Sequence, residues 1–350
     1  MNWFYRCSCA DRRMVPYRLL AFATGTTMRA ILLRLAVAAT LLSPLAARAA
    51  DTDFPTWLRQ FRAEALEKGI KPATLDRSLA GVAPIPRVIE LDRRQPETTL
   101  TFDQYIERVI NDRRVDTGRQ MLVTHKDLLE QVSTKFRVQP RFIVALWGIE
   151  TDFGRITGDF PIISALATLA YDGRRSAFFR GELLNALRMV DRGLADPQRM
   201  RGSWAGAMGQ SQFMPSSFLA YAIDHDGDGR PDLWGSQPDV FASIANYLAK
   251  SGWQGDQTWG RLVQVPPSLD RTQFDLKVEK PISEWASLGV RAADGRELPA
   301  RDLAASVIQP GGAQGPSYLV YQNYKTIMRW NRSLYFATAV GQLADRISGS

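Results

Sequence analysis

The sequence predicts an α+β fold that is mainly helical and carries a small β-rich insertion near its C-terminal end. Two observations lead to this prediction. Apolar residues recur at three- and four-residue steps over most of the chain, as in amphipathic helices. Between residues 262 and 317, short apolar runs alternate with proline and glycine pairs. With 350 residues, of which 45% are hydrophobic, the chain can bury a sizeable core.

Residues 1–49 have the features of a secretory leader. Arginines follow Met28, an apolar segment covers residues 35–45, and Ala47-Arg48-Ala49 forms a small-x-small cleavage site. Residues 1–27 precede this better start and indicate that the assigned start is too early. The apolar segment is short for a membrane span. We therefore expect an exported, periplasmic protein, and the alternative is a leader retained as a membrane anchor.

Charge and cysteine content both separate the leader from the rest. Residues 1–49 carry seven arginines and one acid, whereas residues 50–350 carry 37 basic and 35 acidic side chains. The mature chain is therefore nearly neutral, and it has no basic and aromatic strip for nucleic acid. Both cysteines, Cys7 and Cys9, lie in the leader, and no cysteine follows the apolar segment. We expect neither disulfides nor a lipobox.

Helices are predicted over most of the mature chain. Within residues 51–135, Trp57, Phe61 and Ala65 share one helical face. Pro140 then opens an apolar run over residues 142–149, which is typical of a helix buried on all sides. Further helical patterns cover residues 162–171, 180–192, 216–223, 240–251 and 333–347.

Strands are predicted in the insertion, residues 262–317, at residues 274–278 and 304–308, and a further strand at residues 318–325. The resulting domain organisation is a helical catalytic region over residues 50–261 plus 318–350, interrupted by the insertion.

The apolar helix ends in Trp147-Gly148-Ile149-Glu150-Thr151-Asp152-Phe153-Gly154. A carboxyl at the end of a buried helix is costly to ionise, so the pKa of Glu150 should rise towards neutrality, as a general acid requires. Asp152 follows two residues later and would lie on the opposite face of a helix, which makes it a poor partner. The alternative is a structural Glu150 that satisfies backbone groups at the helix end.

Residues 202–217 form a glycine-rich segment, Gly-Ser-Trp-Ala-Gly-Ala-Met-Gly-Gln-Ser-Gln-Phe-Met-Pro-Ser-Ser. Its glycines permit a tight backbone path, and its serines and glutamines suit hydroxyls and amides. A phosphate loop is not indicated, because no Lys-Ser/Thr pair follows. The segment predicts a loop that leads into a helix from Ser216 and that can also bind a ligand.

An acidic segment, Asp224-His225-Asp226-Gly227-Asp228-Gly229-Arg230-Pro231-Asp232, matches an EF-hand-like calcium loop at positions 1, 3, 5, 6 and 9. Position 12 is Gly235 instead of the usual glutamate, and Asp239 could reach back in its place. The segment predicts a structural Ca²⁺ site, and the alternative is a solvated acidic turn.

Taken together, these segments resemble the MltB-type lytic murein transglycosylases of glycoside hydrolase family 103. The resemblance covers residues 55–348 and rests on ordered motifs: Ala-Leu-Trp-Gly-Ile-Glu-Thr-Asp-Phe-Gly, Ile-Ser-Ala-Leu-Ala-Thr-Leu-Ala-Tyr with Arg-Arg after it, the glycine-rich segment, the acidic segment, and Arg-Trp-Asn-Arg-Ser-Leu-Tyr-Phe-Ala. It implies a lysozyme-like fold and cleavage of peptidoglycan glycan strands, without water, to 1,6-anhydro products. It also implies that Glu150 is the sole catalytic acid and base.

The resemblance further implies which side chains bind the saccharide and the metal. The substrate-binding positions are Ser203, Gln212, Tyr105, Arg174, Arg175, Tyr247 and Asn331. The calcium ligands are Asp224, Asp226, Asp228, the Arg230 carbonyl and Asp239. Where some relatives carry tyrosines, this chain has Trp330 and Phe336, so we expect no phenol hydrogen bonds there.

Three functions remain to be distinguished. The first is a lytic transglycosylase for cell-wall turnover, which acts as a monomer and has cell-wall synthesis or secretion machinery as a possible partner. The second is a hydrolytic muramidase, for which Asp152 is the near candidate for a second carboxylate. The third is a non-catalytic peptidoglycan-binding scaffold.

Overall fold

The computed structural model describes residues 53–94 and 100–349, in which helices dominate as predicted. The helices are α1 (Phe54–Glu67), α2 (Pro72–Leu79), α3 (Pro86–Arg93), α4 (Phe102–Val109), α5 (Asp112–Thr124), α6 (Lys126–Phe136), α7 (Pro140–Thr151), α8 (Ile162–Asp172), α9 (Ser176–Asp191), α10 (Pro215–Tyr221), α11 (Gln237–Lys250), α12 (Ile282–Ser287), α13 (Gln322–Trp330) and α14 (Leu334–Ser348). The predicted secretory leader, residues 1–49, lies outside the described residues.

The strands form one short ribbon and one five-stranded sheet. They are β1 (Phe160–Pro161), β2 (Arg201–Gly202), β3 (Gly260–Gln264), β4 (Lys280–Pro281), β5 (Arg291–Ala292), β6 (Ala304–Ile308) and β7 (Ser317–Val320). Strands β1 and β2 pair with each other, and the sheet has the antiparallel order β4-β6-β7-β3-β5. In its centre Val307 is paired with Leu319. The strand predicted over residues 304–308 is confirmed as β6.

Of the other two predicted strands, the one at residues 274–278 is wrong and the one at residues 318–325 is too long. Residues 274–278 follow a 3-10 turn (Arg271–Gln273) and continue in turns, in which the N–H of Val278 donates to the carbonyl of Asp275. Phe274 and Val278 still pack against the core of the sheet, so their apolar character reflects burial and not strand geometry. The strand predicted over residues 318–325 ends at Val320, because α13 begins two residues later.

The described residues form three hydrophobic clusters. One joins α4 to α7 with α11, α13 and α14, a second joins α1 to α3 with α8 to α10, and the third lies between the sheet and α12. Helix α7 is fully buried from Phe142 to Leu146, as its apolar run predicts. Trp330, at the end of α13, packs against both the first and the second cluster. Within the described ranges, no helix combines the length and hydropathy needed to span a bilayer.

Candidate active site

Glu150 lies in the last turn of α7, and the local sequence explains why the helix ends just beyond it. Pro140 stands at the first helical position, where the missing N–H costs nothing. At the other end Asp152, Phe153 and Gly154 all have positive φ, of 53°, 60° and 80°. Three successive left-handed residues cannot continue a right-handed helix. Glu150 is thereby placed on a rigid, buried helix at the point where the chain turns away.

The Glu150 carboxyl is in an environment that favours its neutral form. The side chain is half-buried, and burial raises the pKa of Glu150 to about 8, against the weaker opposite effect of one hydrogen bond. That bond comes from the indole N–H of Trp330, which donates to Oε1 over 2.7 Å. The carboxyl therefore keeps its proton at neutral pH, in the direction that the sequence predicts.

Trp330 is a residue whose role sequence reasoning missed. The sequence predicted no phenol hydrogen bond at this position, and the indole N–H instead donates a hydrogen bond of its own to Glu150. The signal was available, because tryptophan carries one N–H donor. Phe336 makes no such bond and lies in the core at 2% exposure.

Asp152 is held in an ion-pair cluster. Its side chain is only 3% exposed and accepts hydrogen bonds from Arg113 and Arg155, while Arg114 lies 3.5 Å away. Burial acts to raise the pKa of Asp152, but these hydrogen bonds and positive charges outweigh it and hold the pKa below its usual value. Asp152 is therefore a charged carboxylate whose oxygens are already occupied.

Tyr105 of α4 approaches Glu150 from another side. Its ring is buried, and the negative charge of Glu150 adds to the effect of burial in raising the pKa of the phenol, while Arg114 opposes both. Among the predicted substrate-binding side chains of the described chain, Tyr105 is the one whose pKa is affected by the charge of Glu150. The structure therefore brings α4, α7 and α13 together at this carboxyl.

The glycine-rich segment is fastened to α7 by Gln210. Its amide oxygen accepts the indole N–H of Trp147 over 2.9 Å, and its carbonyl accepts the hydroxyl of Thr151 over 2.8 Å. Gly209 adopts φ 62°, and a Cβ there would collide with the carbonyl of Leu233, so the backbone path requires glycine. The loop therefore has a fixed position beside α7.

Ser203 and Gln212 are both buried in this loop and stabilise it. The Ser203 hydroxyl accepts the N–H of Ala207, and the Gln212 side-chain amide donates to the carbonyls of Thr157 and Gly209. Gln212 has φ 50°, an uncommon conformation for a residue other than glycine.

The remaining predicted substrate-binding residues fall into two groups. Tyr247 packs edge-on against Trp330, and Asn331, the next residue in the chain, caps the turn that precedes α14. Arg174 and Arg175 instead contact the buried carboxylate of Asp92, so a large part of their charge is balanced within the protein.

The acidic segment gathers three carboxylates around a common point. Oxygens of Asp224, Asp226 and Asp239 lie within 4.8 Å of one another. Asp239 is fully buried in the first turn of α11 and accepts the N–H groups of His225 and Asp232, so it does reach back to the loop. Hard oxygen ligands of this kind suit Ca²⁺.

The other two predicted calcium ligands, Asp228 and Arg230, do not belong to this group of close carboxylates. The Oδ1 atom of Asp228 accepts the N–H of Arg230. Arg230, whose carbonyl is the predicted ligand, is an exposed residue of the same loop. The donor set that is present, three carboxylates without an ion-pair partner in the described chain, fits a hard divalent cation.

Sequence and structure comparisons with known proteins all match lytic transglycosylases. Residues 53–345 match the family model described as the transglycosylase SLT domain. Over 248 residues, which are 70% of this chain and 67% of the relative, the chain is 34% identical to membrane-bound lytic murein transglycosylase B of Escherichia coli.

Solved structures agree with the sequence matches. SltB3 of Pseudomonas aeruginosa, in complex with NAG-anhNAM-pentapeptide, superposes with a TM-score of 0.82 at 42% identity, over 85% of this chain and 80% of that chain. The E. coli lytic transglycosylase Slt35 in complex with calcium has a TM-score of 0.71 at 31% identity, over 83% of this chain and 92% of that chain.

The fold and the site define a peptidoglycan lytic transglycosylase with a lysozyme-like architecture, as the sequence resemblance implied. More specifically, the chain belongs to the transglycosylase SLT domain family and is of the MltB type.

Proposed function

We propose that Glu150 is the only catalytic carboxyl of this lytic transglycosylase and that it acts first as an acid and then as a base. The observation that carries the proposal is the contrast at the end of α7. Glu150 is held neutral by burial, while Asp152 is held charged by its arginines. A single neutral carboxyl at neutral pH provides one transferable proton, which is what a reaction without water requires.

The proposed reaction uses that proton twice. Glu150 protonates the oxygen that links N-acetylmuramic acid to N-acetylglucosamine, and the bond from the muramoyl anomeric carbon to that oxygen breaks. The muramoyl 6-hydroxyl then attacks the same carbon and returns its proton to Glu150. The products are a free 4-hydroxyl on N-acetylglucosamine and a 1,6-anhydro ring. The acetamido oxygen of the substrate can stabilise the positive charge, as in substrate-assisted glycosidases.

The substrate class is supported by what relatives bind. Structures of SltB3 contain NAG-anhNAM-pentapeptide and NAG-NAM-pentapeptide, a 1,6-anhydro compound and its counterpart. At 42% identity, we carry the same glycan-strand substrate over to this chain. Its physiological purpose would then be turnover or remodelling of the cell wall.

The hydrolytic alternative requires a second carboxylate that activates water. Asp152 is the near candidate in sequence, but its oxygens accept hydrogen bonds from two arginines and face the charge of a third. A carboxylate with its pKa lowered in this way is a weak base. This arrangement favours the transglycosylase over the muramidase.

We propose two groups of substrate-binding side chains, one next to the cleaved bond and one farther away. Tyr105 and Tyr247 lie near Glu150 and its partner Trp330, and we propose that they line the subsites next to the cleaved bond. Ser203 and Gln212 are proposed for the same subsites, because the glycine-rich loop is held against α7. Asn331 is proposed for them because it directly follows Trp330, the hydrogen-bond partner of Glu150. Arg174 and Arg175 are proposed for more distant acidic groups of the substrate, with Asp92 setting their orientation.

We also propose a structural Ca²⁺ at the acidic segment, where Asp224, Asp226 and Asp239 would be the principal ligands, joined by Asp228 and the Arg230 carbonyl. The calcium complex of Slt35 supports the proposal, since that protein shares 31% identity with this chain. When bound, the ion would neutralise the clustered carboxylates and stabilise the connection between α10 and α11. It would take no part in the reaction.

Export and domain organisation complete the proposal. We propose that residues 1–49 direct the chain to the periplasm and that residues 262–317 form a β-rich insertion in a helical catalytic region. The location is supported by the murein substrate, which lies outside the cytoplasm, and by the membrane-bound murein enzyme of E. coli as a relative.

Mass spectrometry of the muropeptides that the chain without residues 1–49 releases from purified sacculi tests the function. The proposal predicts products that are lighter by one water than their hydrolysed counterparts, and loss of release in the Glu150→Gln variant. Ordinary reducing ends would establish the muramidase instead. Binding without release by the unsubstituted protein would establish the scaffold.

A further inference from the structure

Trp330 is held in place independently of Glu150. Its ring packs edge-on against Tyr247, with centroids 4.7 Å apart and planes at 63°, and at a tilt against Phe213 at 5.2 Å. The hydroxyl of Tyr247 donates to the carbonyl of Arg329 over 2.8 Å, which fixes the backbone just before the indole. The position of the indole N–H is therefore determined by packing from two sides.

An indole nitrogen donates a hydrogen bond and cannot accept one. The Oε1 atom of Glu150 must therefore be the acceptor in both protonation states of the carboxyl. No other group of the described chain donates a hydrogen bond to this carboxyl. When Glu150 is neutral, its proton therefore favours Oε2, because the carbonyl oxygen of a carboxyl is a stronger hydrogen-bond acceptor than its hydroxyl oxygen. A tyrosine hydroxyl in the same place would not impose this preference, because it can donate or accept.

We propose that Trp330 is a positioning residue for Glu150: its N–H occupies Oε1, so that the proton transferred to and recovered from the substrate resides on Oε2. The inference rests on the proposed acid and base role of Glu150 and adds which oxygen performs it. Both half-reactions then use one atom, and the carboxyl does not have to rotate between them.

The same hydrogen bond has a consequence for the pH profile. A donor stabilises an ionised carboxylate more than a neutral carboxyl, so Trp330 lowers the pKa of Glu150 against the larger effect of burial. Loss of the N–H should raise the pKa further. The alkaline limb of the activity profile, which reports ionisation of the acid, should then move to higher pH.

The other titratable groups around Glu150 keep their protonation state over the pH range of the alkaline limb. Burial raises the pKa of Tyr105, and it raises the pKa of Tyr247 to about 12, so both phenols stay neutral. Burial lowers the pKa of Arg114, while the nearby charge of Asp152 acts to raise it and favours the charged guanidinium. Asp152 has a lowered pKa and stays charged. A shift of the limb therefore reports on Glu150.

The test compares Trp330→Phe and Trp330→Tyr with the unsubstituted chain lacking residues 1–49. Formation of anhydro product is followed against pH, and the carboxylic C=O stretch of Glu150 is identified by infrared difference against Glu150→Gln. For Trp330→Phe we expect the alkaline midpoint to rise by roughly one pH unit, the magnitude of one hydrogen bond to a charged group, and the C=O stretch to move to higher wavenumber. Trp330→Tyr should restore part of both shifts.

Two further variants keep the test decisive. Trp285→Phe removes an indole whose N–H donates to Ala305 in the sheet, and it should leave the midpoint unchanged. If Trp330→Phe does not fold, the benzothiophene analogue of tryptophan at position 330 preserves the ring shape without the N–H. A lower rate with an unmoved midpoint and an unmoved C=O stretch would overturn the proposal. Reducing-end products would instead overturn the proposed function, so the two failures are distinguishable.

Discussion

Glu150 and Asp152 are two residues apart at the end of one helix, yet the protein places them in opposite electrostatic environments. Around Glu150 burial prevails and raises its pKa to about 8, and the compensating group is one neutral indole donor. Around Asp152 burial is outweighed by arginines from α5 and from the chain after α7. The difference shows that the role of a carboxyl is not determined by its neighbours in sequence. It is determined by the charges that the tertiary structure places around it.

A large loss of stability is expected when the charge of Asp152 is removed. In Asp152→Asn, Arg114, whose side chain is 15% exposed, loses its partner, while Arg113 and Arg155 are more than half exposed and recover solvent. We expect the free energy of unfolding in urea to fall by about 2–3 kcal/mol, below the range for a fully buried pair. The matched control is Asp116→Asn, which breaks an exposed pair with Arg119 and should change little.

The pH dependence of this effect has a definite sign. Because the pKa of Asp152 is lowered in the folded state, its stabilising contribution is present above its ordinary value of 3.8 and is lost as the pH falls through the folded value. Asp152→Asn should therefore reduce the acid sensitivity of the protein. Unchanged stability combined with altered products in Asp152→Asn would mean that Asp152 acts in catalysis, against our account.

An effect of opposite sign is expected at Glu150. Its pKa is raised on folding, so the folded state loses stability as the pH rises from the ordinary value of 4.5 to about 8. Glu150→Gln removes this penalty, and we expect its melting temperature at pH 8 to exceed that of the unsubstituted protein by a few degrees. At pH 4 the two should coincide, because the carboxyl is then largely neutral in both states. A variant that melts lower at pH 8 would show that Glu150 stabilises the fold.

The smallest and most separable effect concerns the acidic segment. Addition of Ca²⁺ should raise the melting temperature by mass action, and chelation should reverse the rise. Asp224→Asn should abolish the response, whereas Asp228→Asn should weaken it, because Asp228 lies outside the group of three close carboxylates. Equal melting temperatures with and without Ca²⁺ would leave the segment as an acidic turn.

Local sequence predicted most of the helices and, of the two carboxyls at the end of α7, the environment of Glu150. The apolar run before Glu150 is continuous, so burial of the helix and the rise of the pKa of Glu150 both follow from neighbouring residues. The helical periodicity likewise predicted α8, α9, α11 and α14.

The environment of Asp152, and the hydrogen bond that Glu150 accepts, depend on residues distant in sequence. Arg113 and Arg114 reach Asp152 from α5, 39 and 38 positions earlier, and Trp330 reaches Glu150 across 180 positions. Periodicity carries no information about such pairings. The error at residues 274–278 has a related cause, because burial by the sheet produces an apolar pattern in a turn as well as in a strand.

The protonation states of Glu150 and Asp152, which we expect to be opposite at neutral pH, can be measured directly. A pH titration of the side-chain carboxyl ¹³C resonances, assigned with Glu150→Gln and Asp152→Asn, reports both groups in one protein. We expect Glu150 to titrate near 8 and Asp152 to titrate below its ordinary value. A Glu150 resonance that titrates near 4.5 would contradict this expectation, because the enzyme would then hold no neutral carboxyl at this site at neutral pH.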